Sequence, residues 1–151
     1  MPHLTLSDGE SLYYEEHGAG KPLLLVSGLG GVASFWKPHV AILSEHYRVI
    51  LHDHRGTGDS SKSLIDYSVS QMTDDLLQLM DHLEIARADF VGHSTGGAIG
   101  QTMALDFPER IDGLVLSATW TAADDYFRRL FDMRSSILSA GGIEAYVRSQ
   151  A

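Results

Sequence analysis

The amino-acid sequence predicts an α/β protein built on a mostly parallel sheet with helices on both of its faces. Short, mainly apolar runs, typical of strands that are buried on both faces, recur along the chain. Segments with apolar residues at helical spacing separate these runs, which indicates βαβ units. The apolar runs are Leu23–Ser27, Tyr47–Leu51, Asp89–Gly92 and Ile111–Leu116.

Shorter elements precede and follow the first of these runs. At the N-terminus, His3–Leu6 and Ser11–Glu15 have the composition of two short strands around a glycine-containing turn. A short helix is predicted after the first buried run. Pro38 fits only in the first turn of that helix, where its missing N–H has no intrahelical partner to lose.

Two longer helices are predicted between the later runs. Ser68 and Gln71 have the spacing of a capping box at a helix start. Phe107-Pro108 ends the helix that follows the third buried run, because proline restricts the backbone of the residue before it. The first of these two helices carries apolar residues at helical spacing, namely Met72, Leu76, Leu79, Met80 and Leu83.

The sequence pattern changes after Ser117. Residues 124–140 and 143–150 have helical patterns with no strand between them, and Gly141-Gly142 joins them. Such helices suit a lid over the carboxyl ends of the strands, where open α/β sheets bind ligands. We therefore divide the chain into the N-terminal part of the core, residues 1–120, and the beginning of a helical lid, residues 121–151.

Composition argues against several functions. The 151-residue chain has a formal net charge of −9, so we expect neither nucleic-acid binding nor attraction to an anionic membrane. It contains no cysteine, which excludes disulfides and thiolate chemistry. No ligand spacing indicates a metal site, and no cofactor is expected. Since we find neither a leader pattern nor an apolar run of membrane-spanning length, we expect a cytoplasmic protein.

The most informative motif is Gly92-His93-Ser94-Thr95-Gly96. It lies between a predicted strand and a predicted helix, where a strained turn lifts a serine hydroxyl clear of the chain. Glycine is needed two residues to either side, because larger side chains would collide with the neighbouring backbone. This context predicts that Ser94 is a nucleophile. The alternative is that the serine and glycines serve only a tight turn.

A serine nucleophile needs hydrogen-bond donors for the oxyanion that forms when it attacks a carbonyl group. One donor follows the nucleophile at the helix N-terminus, and the other comes from the loop after an earlier strand. The glycine-rich segment Ser27–Gly31 occupies the place of that loop. We predict that the backbone amides of Leu29 and Thr95 form the oxyanion hole.

Together these motifs resemble the α/β-hydrolase superfamily over essentially the whole chain. Val91–Gly97 resembles its G-H-S-x-G-G elbow, and His52–Ser60 resembles its D-x-R-G-x-G-x-S loop. Ser27 stands where histidine is commoner. This serine is similar to the enol-lactonase and aminoacrylate-hydrolase branch of the superfamily. The segment Ser117–Trp120, followed by Tyr126–Arg129, resembles the lid entrance of aminoacrylate hydrolases.

The resemblance implies a catalytic triad in the chain order serine, acid, histidine. In the superfamily the acid and the histidine follow the lid, so we expect both to be absent from residues 1–151. It also implies that the sheet is truncated after its sixth strand, which leaves an exposed edge at Ile111–Leu116. Besides a small-molecule substrate, the expected partner is a complementary C-terminal half or, through this edge, a second copy of the chain.

No histidine of the chain is an obvious replacement for the missing base. His93 is expected to point into the scaffold, away from the Ser94 hydroxyl. His54 is expected near the strand ends, and we predict Gly28, His54 and Trp120 as residues of the substrate pocket. The other histidines are interpreted as surface or loop residues, namely His3, His17, His39, His46, His52 and His82.

The remaining charged candidates have structural interpretations. We expect Asp53, Arg55 and Asp59 to tie down their own loop through hydrogen bonds. Asp124 and Asp125 fit a helix start, where carboxylates interact favourably with the helix dipole. None of them is predicted to be the acid of a triad.

The leading hypothesis for function is a serine hydrolase. In it, Ser94 attacks an ester, a lactone or a related small carbonyl substrate, with an aminoacrylate-like substrate included. The first alternative is a non-catalytic fragment or small-molecule-binding module of the same fold. The second is a cofactor-free haloperoxidase-like or perhydrolase-like enzyme, which shares the same elbow and which the sequence does not separate from a hydrolase.

Overall fold

The computed structural model describes residues 2–149, and these contain one six-stranded sheet. Each strand overlaps a strand predicted from the sequence, with ends that differ slightly. The strands are β1 His3–Thr5, β2 Ser11–His17, β3 Lys21–Val26, β4 Tyr47–His52, β5 Ala88–His93 and β6 Ile111–Ser117.

The strands lie in the order β1-β2-β4-β3-β5-β6. β1 and β2 pair in antiparallel fashion, whereas β4, β3, β5 and β6 run parallel to one another. In the centre, Leu24 of β3 pairs with Ile50 of β4 on one side and with Phe90 of β5 on the other. The predicted mostly parallel sheet is confirmed, and the carboxyl ends of its four parallel strands meet at one edge.

The central strand β3 is buried on both faces, as its apolar run predicts. Leu23 and Leu25 belong to one apolar cluster, and Leu24 and Val26 belong to another on the opposite face. The first cluster is covered by a 3₁₀ turn, Ala33–Trp36, and α1, Lys37–Leu43. The second is covered by two helices, so the sheet carries helices on both faces as predicted. These are α2, Val69–His82, and α3, Thr95–Asp106.

The predicted helix boundaries are present, with one correction. The Ser68 hydroxyl accepts the backbone N–H of Gln71 at 3.1 Å and caps α2. The reciprocal half of the predicted capping box is wrong, because the Gln71 side chain instead donates to the carboxylate of Asp75. Pro38 lies in the first turn of α1, and α3 ends before Phe107-Pro108.

The described chain consists of two compact units, the first ending at Thr119 and the second beginning at Trp120. The second unit contains α4, Asp125–Arg148, whose helical geometry is interrupted at Gly142 (φ 69°, ψ −173°). Two helical segments therefore meet at the junction predicted from the paired glycines. The predicted division after residue 120, and the role of residues 121–151 as a lid, stay predictions.

The start of α4 agrees with the helix-start interpretation of its acidic residues. The Asp124 carboxylate accepts the backbone N–H of Phe127 at 2.7 Å, and Asp125 lies in the first turn. The predicted end of this helical region at Gln150 lies outside the described residues. Between residues 2 and 149, no helix combines the length and apolar content needed to cross a membrane.

We expect Phe90→Ala to lower the free energy of unfolding by about 3–5 kcal/mol. The Phe90 side chain has no exposed surface, and it lies in the central strand pairing, so truncation leaves a cavity. Leu105→Ala on α3 is the matched control, because Leu105 is 80% exposed; a change within about 0.5 kcal/mol is expected there. Chemical denaturation of both variants measures the difference, and equal losses would contradict the assignment of the core.

Candidate active site

Ser94 lies at the carboxyl end of β5, where the strand passes into α3 within one residue. Its backbone has φ 54° and ψ −117°, in the region of positive φ that non-glycine residues rarely adopt. Such strain persists only where the surrounding structure holds it. The predicted strand–turn–helix context of Ser94 is confirmed.

Two glycines allow the helix to approach the sheet this closely. A Cβ atom on Gly92 would collide with the backbone of Gly96. A Cβ atom on Gly96 would in turn collide with the carbonyl oxygens of Val26 and Ser27 at the end of β3. The spacing that identified the motif in the sequence therefore has a steric cause in the structure.

The end of β6 holds the backbone of Ser94 in place. The Ser94 N–H donates to the carbonyl of Ser117 at 2.9 Å. The Ser94 carbonyl accepts from the amides of Gly97 and Ala98, at 3.0 and 3.3 Å, and from the hydroxyl of Thr119, at 2.7 Å. Ser117 and Thr119 were not identified as holding residues from the sequence, because they lie more than twenty residues from Ser94 and nothing in their segment indicates a contact with it.

The glycine-rich loop after β3 lies against the Ser94 side chain. A Cβ atom built on Gly28 would be 3.1 Å from the Ser94 Cβ and 3.4 Å from its Oγ. Leu29 is 58% exposed, and within residues 2–149 its backbone amide donates no hydrogen bond. The loop predicted to supply an oxyanion donor is therefore next to the predicted nucleophile.

Thr95 is the first residue of α3 and is buried. Amides in the first turn of a helix have no intrahelical acceptor, so they are available to an anion. The structure thus brings Ser94, Thr95 and the loop containing Gly28 and Leu29 together at one edge of the sheet. Their roles in nucleophilic attack and in oxyanion binding stay predictions.

His54 is buried and is hydrogen-bonded to the glycine-rich loop Ser27–Gly31. Its Nε2 atom donates to the Ser27 carbonyl at 3.0 Å, and its Nδ1 atom lies 3.2 Å from Nε2 of His52. If Nε2 of His54 carries the proton, Nδ1 accepts, and His52 is the donor of the second bond. Both ring nitrogens of His54 are engaged by the protein. This geometry favours a structural role over the predicted contact with substrate.

The interpretation of His52 as a surface or loop residue is wrong. It is the last residue of β4, and its side chain is buried. Burial lowers the pKa of His52 well below its ordinary value, and the neighbouring His54 lowers it further. Burial also lowers the pKa of His54, although the hydrogen bond to Ser27 opposes this. Both imidazoles are therefore neutral near pH 7.

Asp53 ties down its loop, as the sequence predicts. Its carboxylate accepts the backbone N–H of Ala33 at 2.6 Å and that of Asp59 at 2.8 Å. Asp59 itself is exposed and contributes its backbone rather than its carboxylate. The bond to Ala33 joins the loop after β4 to the segment that follows the glycine-rich loop Ser27–Gly31.

Arg55 binds residues outside its own loop, whereas only hydrogen bonds within that loop were predicted. Its buried guanidinium forms a two-pronged ion pair with Asp75 of α2, with N–O distances of 2.6 and 3.1 Å, and a second ion pair with Asp8. The hydrogen bond from Arg55 lowers the pKa of Asp8. Asp75 was missed because one carboxylate on a helix has no distinguishing pattern in the sequence.

The environment of His93 fits the expectation that it points away from the Ser94 hydroxyl. Its ring stacks on Phe35 with 5.2 Å between centroids, and its Nδ1 atom lies 3.3 Å from the Ser117 hydroxyl.

Trp120 belongs to the second unit, where its ring lies 4.6 Å from that of Phe127. The predicted role of Trp120 in the substrate pocket stays a prediction.

Among residues 2–149, no cluster of histidine or carboxylate side chains could hold a metal ion.

Comparison with known proteins defines the class. Residues 21–140 match the model of the alpha/beta hydrolase fold family. The chain therefore belongs to the α/β-hydrolase family, an enzyme family, as the elbow motif indicated.

Individual relatives narrow this assignment. The chain is 43% identical over 150 residues to a protein of Azorhizobium caulinodans that bears the name of a carbamate hydrolase, RutD; the match covers 99% of this chain and 56% of that one. The enol-lactonase of Burkholderia xenovorans LB400 is 33% identical, with a TM-score of 0.89, and 98% of this chain matches 57% of its chain. A hydrolase of Pseudomonas aeruginosa PA01 is 35% identical, with a TM-score of 0.83, over 93% of this chain and 53% of its own.

These matches confirm the resemblance to the enol-lactonase branch. They also show that the chain spans just over half the length of the relatives it matches.

The buried histidine pair predicts an acid-sensitive fold. Because folding lowers both pKa values below 6.5, the unfolded chain binds protons first as the pH falls. The stability contribution is complete above the unfolded pKa, about 6.5, and is lost as the pH falls from there toward the folded pKa values, by up to about 1.4 kcal/mol per pH unit for each imidazole. Urea unfolding at a series of pH values measures this slope.

His52→Leu should reduce the pH slope, whereas His46→Leu, at an exposed histidine, should leave it unchanged. An identical slope in the wild type and in His52→Leu would contradict the assignment of the buried pair as its cause.

Proposed function

We propose that the protein is a serine hydrolase that acts on an ester, a lactone or a related small carbonyl compound. The observation that carries this proposal is the position of the Ser94 side chain. It lies on a strained turn at the N-terminus of α3 and against the glycine-rich loop at Gly28. This is the arrangement that nucleophilic attack on a carbonyl carbon requires.

In the proposed reaction the Ser94 Oγ atom forms a bond to the carbonyl carbon, and its proton passes to a general base. The amides of Leu29 and Thr95 bind the resulting oxyanion. When the tetrahedral intermediate collapses, the bond to the leaving group breaks, and the leaving group takes up the proton. Water then attacks the acyl-enzyme in the same manner, which releases the acid and restores Ser94.

The general base of this proposal is a histidine oriented by an acid, and in this fold both follow the serine in chain order. Within residues 2–149, no imidazole or carboxylate forms a hydrogen bond with the Ser94 hydroxyl. The proposed full reaction therefore depends on groups supplied from outside the described residues.

The names of the relatives support a small substrate with a heteroatom next to its carbonyl. One is named a carbamate hydrolase and another is an enol-lactonase. Carbamates and lactones both have a carbonyl carbon bonded to the atom that leaves, and both pass through a tetrahedral oxyanion. An aminoacrylate-like substrate would lose ammonia when water adds to the carbon that bears the nitrogen, and that reaction does not require an acyl-enzyme on Ser94.

A second candidate function follows because no base of the described residues, 2–149, is hydrogen-bonded to the Ser94 hydroxyl. Without a base, the same edge of the sheet would bind a small carbonyl compound and leave it unchanged. Turnover separates this binding module from the hydrolase.

We expect a fluorophosphonate probe to label the chain when it is joined to the C-terminal part that supplies the base, and p-nitrophenyl acetate to be hydrolysed by that protein, with Ser94→Ala abolishing both. The variant removes the attacking oxygen and nothing else. Ser44→Ala, at a serine in the turn after α1, is the matched control and should retain both signals. No labelling of this joined protein, when circular dichroism shows it to be folded, would favour the binding module.

We further propose that the edge of β6 is a pairing surface. Within the described residues β6 has a neighbour, β5, on one side only, and Val115 and Leu116 are 56% and 43% exposed. An unpaired apolar strand is a template for another strand. We propose that a complementary C-terminal half occupies it and that, without this half, a second copy of the chain does so.

The isolated chain should therefore self-associate in a concentration-dependent manner in size-exclusion chromatography. Val115→Lys should shift it toward the monomer, because a charge on an edge strand opposes pairing. Leu105→Lys, on the exposed face of α3, should not. A wild-type chain that elutes as a folded monomer at all concentrations would rule out self-association.

A further inference from the structure

The carbonyl oxygen of Ser94 has an unusual number of donors. As the residue before α3, it accepts from the amides of Gly97 and Ala98, as a helix start requires. It also accepts the hydroxyl of Thr119 at 2.7 Å, the shortest of the three bonds. This third donor comes from a different element of the fold, and the elbow motif does not account for it.

The chain takes a strained path to bring Thr119 to this place. Directly after β6, Ala118 has a φ of 47°, one of only three positive values among the non-glycine residues described. The turn at Ala118 lets the Ser117 carbonyl accept the Ser94 N–H while Thr119 reaches the Ser94 carbonyl. The two polar backbone groups of Ser94 are thus bound by residues two positions apart.

Packing fixes the Thr119 side chain in the same position. A Cβ atom on Gly97 would lie only 2.5 to 2.7 Å from three atoms of the Thr119 side chain. Thr119 therefore occupies the space that the absence of a side chain at Gly97 leaves open. Its hydroxyl has little freedom to turn away from the Ser94 carbonyl.

The hydrogen bond from Thr119 acts on the predicted oxyanion hole through the peptide group to which the Ser94 carbonyl belongs. The C=O of Ser94 and the N–H of Thr95 are parts of one planar trans unit, so they point in opposite directions. A donor that fixes the carbonyl also fixes the direction of the N–H. Donation to the carbonyl polarises the unit as well, which makes its N–H a stronger donor.

We propose that Thr119 is a positioning residue, which orients and polarises the Thr95 amide for the oxyanion. The proposal rests on the proposed function, since it assumes that the Thr95 N–H binds the oxyanion. Thr119 acts through the Ser94–Thr95 peptide group and does not itself touch the substrate. The predicted oxyanion hole thereby depends on Thr119, just after β6, as well as on the elbow and the glycine-rich loop that the sequence motifs identify.

The test compares Thr119→Val, which keeps the shape and loses the hydroxyl, with Thr119→Ser, which keeps the hydroxyl. Thr102→Val is the matched control, because the Thr102 hydroxyl donates to a carbonyl of the same helix at 3.1 Å, that of Ala98. The rate of fluorophosphonate labelling and the kcat and KM for p-nitrophenyl acetate are measured on the chain joined to the C-terminal part that supplies the base. Thermal unfolding confirms that each variant is folded.

We expect Thr119→Val to lower kcat and the labelling rate by on the order of tenfold, with KM unchanged. This is less than the loss caused by removing an oxyanion donor outright, and an interaction made only in the transition state leaves KM unaffected. Thr119→Ser should restore the wild-type rate, and Thr102→Val should retain it. A folded Thr119→Val with the wild-type rate would overturn the proposal, as would a Thr119→Ser as slow as Thr119→Val.

A second measurement does not depend on reactivity. The amide nitrogen of Thr95 senses a hydrogen bond to the carbonyl of its own peptide group, so its ¹⁵N chemical shift should move in Thr119→Val but not in Thr119→Ser or Thr102→Val. An unchanged shift in Thr119→Val overturns the proposal even in an unreactive chain. Absence of labelling in the wild type together with the expected shift would instead refute the proposed function and leave the orienting role of Thr119 standing.

Discussion

At Ser94 a strand becomes a helix within a single residue, and the backbone there has a positive φ that serine rarely adopts. This turn exists because β3, β5 and α3 approach each other so closely that Gly92 and Gly96 have no room for a Cβ atom. The same closeness places the serine side chain against Gly28 and directs the helix N-terminus at the same point. The other interactions at the candidate site either hold this turn in place or lie around it.

Two sets of interactions hold the site from opposite sides. On one side, the loop after β4 is attached to the glycine-rich loop Ser27–Gly31 by His54, and Arg55 anchors it to Asp75 of α2. On the other side, the end of β6 binds both polar backbone groups of Ser94. A strained conformation needs such support, since without it the turn would relax and the hydroxyl would lose its exposed position.

The support is built partly from buried polar groups, which has energetic consequences. The neutral imidazoles of His52 and His54 and the ion pair of Arg55 with Asp75 are all withdrawn from water. Such groups are tolerated only when hydrogen-bonded, and losing one partner costs more than the bond itself contributes. The candidate site is thus held in place by hydrogen bonds and an ion pair that depend on the protonation states of these side chains.

The sequence by itself determined the strands, the helices, the parallel sheet and the position of Ser94. These depend on local patterns: apolar runs such as Leu23–Ser27, helical spacing, and glycines two residues from the serine. Only the tertiary structure decided the burial of His52, the pairing of Arg55 with Asp75 and the contact of Thr119 with the Ser94 carbonyl. Each of these depends on residues that are distant in the chain. Although His52, Arg55 and Thr119 lie in segments that resemble the superfamily, nothing in those segments specifies the partner. Their contacts depend on strand register and on the path of a loop, which local sequence does not specify.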